Sequence, residues 1–115
     1  MKVYTFQLAK WRALKAQGIP YLDTTVKSGA IQVAPLWEMA LGVKAGTLSP
    51  EEYTRRYNEI LEYWFFADPL FWEWLISHEV IALGCYCKSG DFCHRHLLVQ
   101  YLKRITAVED LGEIQ

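Results

Sequence analysis

Apolar and polar positions alternate with a period of two from Val3 to Leu8, which predicts a strand. The charged, Ala-rich run to Gln17 predicts a helix closed by Gly18. A second run rich in β-formers, Ile19 to Val26, predicts a strand stopping near Asp23 or Thr24, ahead of Lys27-Ser28-Gly29. Pro35 to Leu41 reads as a short helix that stops before Gly42. Ser49-Pro50-Glu51-Glu52 supplies a cap, a proline at the first helical position and a capping-box glutamate, so a long helix starts there. Its apolar stripe, Tyr53, Tyr57, Ile60, Leu61, Trp64 and Phe65, runs until Asp68-Pro69 stops it. That dipeptide caps a second helix reaching Ser77, whose apolar residues surround most of its circumference; it is expected to be buried or to meet a partner.

Val80 to Tyr86 carries no charge and predicts a central strand covered on both faces. A last helix is expected from about Asp91, with Leu97, Leu98, Tyr101, Leu102 and Ile105 on one side, and residues 106–115 are expected to fray. Strands separated by helices pair in parallel through crossovers. The expected fold is therefore α/β: one domain over 1–115, a small mainly parallel sheet with helices packed on it.

The 115 residues, 52% apolar and 22% charged, suffice for one core without staples. A net charge of -1 gives no electrostatic footprint for duplex nucleic acid. The most aromatic stretch, Tyr63 to Ile76, is interrupted by Asp68, Pro69 and Glu73, so no membrane span is expected. No secretory leader pattern follows Met1, and the three cysteines crowd into positions 85–93, which points to a reducing, cytoplasmic compartment. The Trp72-Trp74 helix could serve a homodimer surface as well as a core.

Ligands of such sheets bind beyond the carboxyl ends of the strands, where two polar segments fall: Asp23 to Ser28 and Cys85 to His96. A helix start near Cys93 and His94 favours negative charge and a lowered thiol pKa at Cys93. Lys88, Ser89, a flexible Gly90, Asp91 and Arg95 add the parts of an anion cradle. The spacing of Cys87 and Cys93 to Arg95 does not match a phosphatase loop. Cys85, Cys87, Cys93 and His94 could alternatively hold tetrahedral zinc, although C-x-C on a strand suits one ion less well than cysteines on a turn. In the plainest reading Cys85 is a small core residue and the other cysteines are incidental.

An apolar strand, C-x-C, a short loop, Cys93-His94-Arg95 and an amphipathic helix together resemble the domain of unknown function 488 family. Tyr4-Thr5-Phe6 and the strand end at Leu22-Asp23 add to the likeness. In that family the second-strand Asp is followed by a hydrophobic residue and Arg; here Thr24-Thr25 follow, which leaves Lys27 as a substitute anion contact. The resemblance implies the α/β fold and the site, a bacterial or bacteriophage setting, and no particular reaction.

Two functions are expected from this reading. The first is an enzyme-like pocket for a small anionic, nucleotide-like ligand. Asp23, Cys87 and Cys93 are its candidate reactive groups; Lys27, Lys88, Ser89, His94 and Arg95 bind the ligand, with no cofactor. The second is a zinc-binding or non-catalytic interaction module built on the cysteines.

Overall fold

The computed structural model describes residues 1–87 and 92–114. Four strands, β1 (Lys2–Gln7), β2 (Tyr21–Asp23), β3 (Val80–Cys85) and β4 (Glu109–Glu113), form one sheet in the order β2-β3-β1-β4, and every pairing is parallel. The helices are α1 (Trp11–Gln17), α2 (Trp37–Ala45), α3 (Pro50–Ala67), α4 (Pro69–Ile76) and α5 (His94–Ile105). The α/β architecture matches the sequence expectation.

One face of the sheet buries Val3, Leu22, Ile81 and Leu83 against Met39, Tyr57, Leu61, Leu75 and Leu98. The other buries Phe6 and Ala82 against Leu14 of α1. Both faces are covered, which explains the uncharged run of β3. Gly84 is required there, because a Cβ would sit 2.4 Å from the Phe6 ring.

Three local expectations are corrected. Helix α2 runs through Gly42 to end at Gly46 (φ +77°), since Gly42 is tolerated inside the helix where Leu48 packs closely over it. Helix α5 begins at His94 with Cys93 as its N-cap, so Cys93 lies just outside the first turn. The segment expected to fray instead pairs as β4 with β1: Lys2 aligns with Glu109 and Thr5 with Glu113. Its strand signal is weak, yet β1 would otherwise present an unpaired edge. Trp72 of α4 is core while Trp74 is half exposed, so that helix divides between core and surface. Among the described residues no helix is long and apolar enough to cross a membrane.

Candidate functional site

Side chains of a strand alternate between faces, and the parallel register carries Thr5, Leu83 and Cys85 onto the face that meets α5. Thr24, one residue past β2, joins them: its backbone N–H donates to Gly84 O at 3.0 Å and its hydroxyl donates to the same oxygen at 2.9 Å. The start of α5 lies over this edge. The buried polar or charged residues among those described are Thr5, Thr24, Thr25, His94 and Arg95, and they gather at this one place. Buried polar groups need partners, and here they supply one another.

Arg95 is fully buried. Its Nε and Nη2 donate to the two carboxylate oxygens of Glu113 at 3.1 and 2.6 Å. Nη1 donates to Cys85 Sγ at 2.8 Å and to Cys87 O at 3.1 Å. Thr5 Oγ1 in turn donates to Glu113 at 2.5 Å. Burial acts to lower the Arg95 pKa, but Glu113 and Cys85 hold it above its ordinary value. Burial likewise opposes ionisation of Glu113, which the Arg95 and Thr5 hydrogen bonds keep below the usual carboxylate range.

Cys85 is the proton-poor sulfur of the cluster. Hydrogen bonds from the Cys87 and Cys93 thiols, and then the charges around it including Arg95, pull its pKa far below that of a free thiol. The same hydrogen bonds push Cys87 and Cys93 upward, because each keeps its proton to serve the Cys85 thiolate. Cys87 lies past the end of β3 and is half buried, whereas Cys85 and Cys93 are buried.

His94 has an assigned tautomer. Its Nε2 lies 2.8 Å from the Thr24 carbonyl oxygen, which can only accept, so Nε2 carries the hydrogen. Burial lowers the His94 pKa and favours the neutral ring, leaving Nδ1 as an acceptor 3.7 Å from Cys93 Sγ. Cys93 Sγ therefore lies close to both the Cys85 sulfur and the His94 ring.

Asp23 stands one strand away. Oδ1 accepts from Thr25 N at 2.8 Å and Thr25 Oγ1 at 2.7 Å, and Oδ2 accepts from Ser28 Oγ at 2.5 Å. It clasps its own loop, and that loop presents Thr24 to His94. Gly29 closes the same turn, where a Cβ would meet Thr25 N at 2.4 Å and Asp23 O at 2.5 Å. Lys27 is exposed at the tip. The anion-cradle roles given to Lys88 and Ser89 fall outside the described residues.

For a metal, Cys85, Cys93 and His94 place one ligand atom each within 4.8 Å of one another. Cys87, the fourth expected ligand, is not in that group. The donor set suits zinc, but the guanidinium on Cys85 sets a fixed cation where a metal cation would have to bind.

Thr5, Thr24 and Glu113 were not among the candidates read from the sequence. A buried arginine demands a carboxylate, which is the signal that would have prompted a search for Glu113.

A family model described as DUF488-N3a, the active DUF488-N3 subclade, matches residues 12–106, which include the Cys-His-Arg start of α5 and the C-x-C at the end of β3. The chain belongs to the domain of unknown function 488 family. The match spans Asp23, all three cysteines, His94 and Arg95, while Thr5 and Glu113 lie outside it. No curated protein and no solved structure matches the chain.

Proposed function

We propose that this member of the 488 family is a small thiol-dependent enzyme whose nucleophile is the Cys85 thiolate. The observation that carries this reading is the contact between the buried Arg95 guanidinium and Cys85 Sγ, backed by Glu113. A thiolate held in this way is ionised at neutral pH. The family model's description of its subclade as active agrees with an enzyme and names no reaction.

In the proposed step Cys85 Sγ forms a bond to an electrophilic centre of a small anionic, nucleotide-like substrate, and the leaving group departs with the electron pair of the broken bond. Covalent bond formation consumes the charge that holds Cys93 protonated. The Cys93 proton is then released to the leaving group, and water later hydrolyses the Cys85 adduct and restores both sulfurs. Thr24 holds the His94 ring against Cys93, and Asp23 positions the loop that carries Thr24. The cytoplasmic setting inferred from cysteine usage suits a reduced cluster.

Alkylation by iodoacetamide tests the nucleophile. Cys85 should react at a rate nearly independent of pH between about 5 and 8, because it is already ionised. Slow labelling of all three cysteines, each rising with pH like a free thiol, would refute it.

The three converging ligand atoms support a second reading, a zinc site on Cys85, Cys93 and His94. Stoichiometric zinc that survives dialysis and is lost in Cys93→Ser would favour it over the thiolate.

A further inference from the structure

A groove of about 800 Å³ runs between the segment after β2 and the outer face of α3, within the range of roughly 300–1,000 Å³ typical of small-molecule sites. Val26 and Gly29 form one end, and Trp37, Arg56, Tyr63 and Trp64 line it further along. Trp37 is 58% and Tyr63 64% exposed, so neither ring is spent on the core. Tyr63 and Trp64 meet edge to face with centroids 5.1 Å apart.

The charges differ along α3. Arg55 is held between Glu52 and Glu59, while Arg56, among the described residues, uses only Nε, toward Glu52 at 3.3 Å. The Arg56 side chain is 44% exposed, with its terminal donors available to an anion.

We infer that this groove binds a nucleoside monophosphate, its base against Trp37 and the Tyr63-Trp64 pair and its phosphate on Arg56. Aromatic faces accept any base by stacking, and an under-used guanidinium supplies the charge complement. A partner helix would call for a continuous apolar seam, whereas Arg55, Arg56 and Glu59 interrupt this one. Through Val26 and Gly29 the groove also abuts the loop clasped by Asp23, whose Thr24 holds His94. Only the identification of this molecule as the substrate rests on the thiol-enzyme reading; the binding itself does not.

The test is tryptophan fluorescence of the full chain titrated with AMP, UMP and adenosine. AMP and UMP should quench it. Arg56→Gln should weaken AMP binding roughly tenfold and leave adenosine unchanged, and Trp37→Ala should weaken AMP and adenosine alike, by roughly tenfold. Both positions are exposed, so both variants fold. Cys85→Ser should bind AMP as the unaltered protein does, which separates a failure of the thiol chemistry from a failure of the groove. No response to any of the three at millimolar concentration, quenching untouched by both groove substitutions, or self-association that buries Trp37 in place of nucleotide binding would overturn the inference.

Discussion

Arg95 reaches Cys85 across 2.8 Å while the opposite edge of its guanidinium is locked to Glu113, so one buried cation bridges the last helix, the central strand and the C-terminal strand. The arrangement places the Cys85 sulfur, at the end of β3, against a buried guanidinium. The charge is set by fold topology, because β1 between β3 and β4 fixes how far apart Cys85 and Glu113 can be.

Removing the cation should therefore be costly twice over. Arg95→Met leaves the Glu113 carboxylate and the Cys85 sulfur without their buried partner, and breaking such a pair costs on the order of 3–5 kcal/mol. Urea denaturation should show a loss of that size. A loss of only a few tenths would mean that the pair is not formed in solution.

Glu113→Gln and Arg95→Met should not add. Each alone strands the other's charge, whereas the double variant leaves neither charge of the pair, so its destabilisation should fall short of the sum by about 1–3 kcal/mol. A double-mutant cycle by thermal or urea unfolding reads this coupling directly. Strict additivity would show that β4 docks without engaging Arg95.

The acid limb of stability carries the signature of the cysteines. Cys85 is depressed in the folded chain, so below the free-thiol value of about 8.5 the unfolded state binds a proton that the native state does not, and stability rises with pH up to that point. His94, lowered by burial, adds the same sign below about 6.5. Cys87 and Cys93 are raised, so their contribution is present below about 8.5 and lost as pH climbs beyond it. The unfolding free energy should peak near pH 8, and between about 6.5 and 7.5 its slope should approach 1.4 kcal/mol per pH unit. In Cys85→Ala that slope should flatten.

Much of this was legible in the sequence. The period-2 opening, the Ser49 cap with Pro50 behind it and the uncharged run of β3 follow local rules, and each formed where expected, although the Glu52 carboxylate turns to Arg55 and Arg56 and not back to the cap. The Cys-His-Arg segment was equally readable, and so was the burial of Cys85. The contact between Arg95 and Cys85 was not: it depends on the Arg95 side chain turning back toward the strand, with Glu113 on its other edge. Glu113 itself lay in a stretch whose short, acidic pattern carries almost no strand signal, and pairing with β1 is a tertiary effect. Asp23 read as a possible acid or base, yet the structure shows both its oxygens occupied by Thr25 and Ser28 of its own turn.

The clasp at Asp23 gives a separate check. Gly29→Ala forces a Cβ against the backbone of Thr25 and Asp23, which cannot yield as a flexible side chain would, and should destabilise the protein by roughly 1–3 kcal/mol. Thr24 should loosen with the turn, so the His94 ring resonances should shift as well. An unchanged His94 spectrum would contradict the link between the turn and the ring.

The ultraviolet thiolate absorbance of the reduced protein, titrated from about pH 4 to 10, bears most directly on Cys85. One thiolate per chain should already be present near pH 5, with the other two appearing only above about pH 9. Three thiols ionising together near pH 8.5, as free cysteines do, would contradict a thiolate held by Arg95.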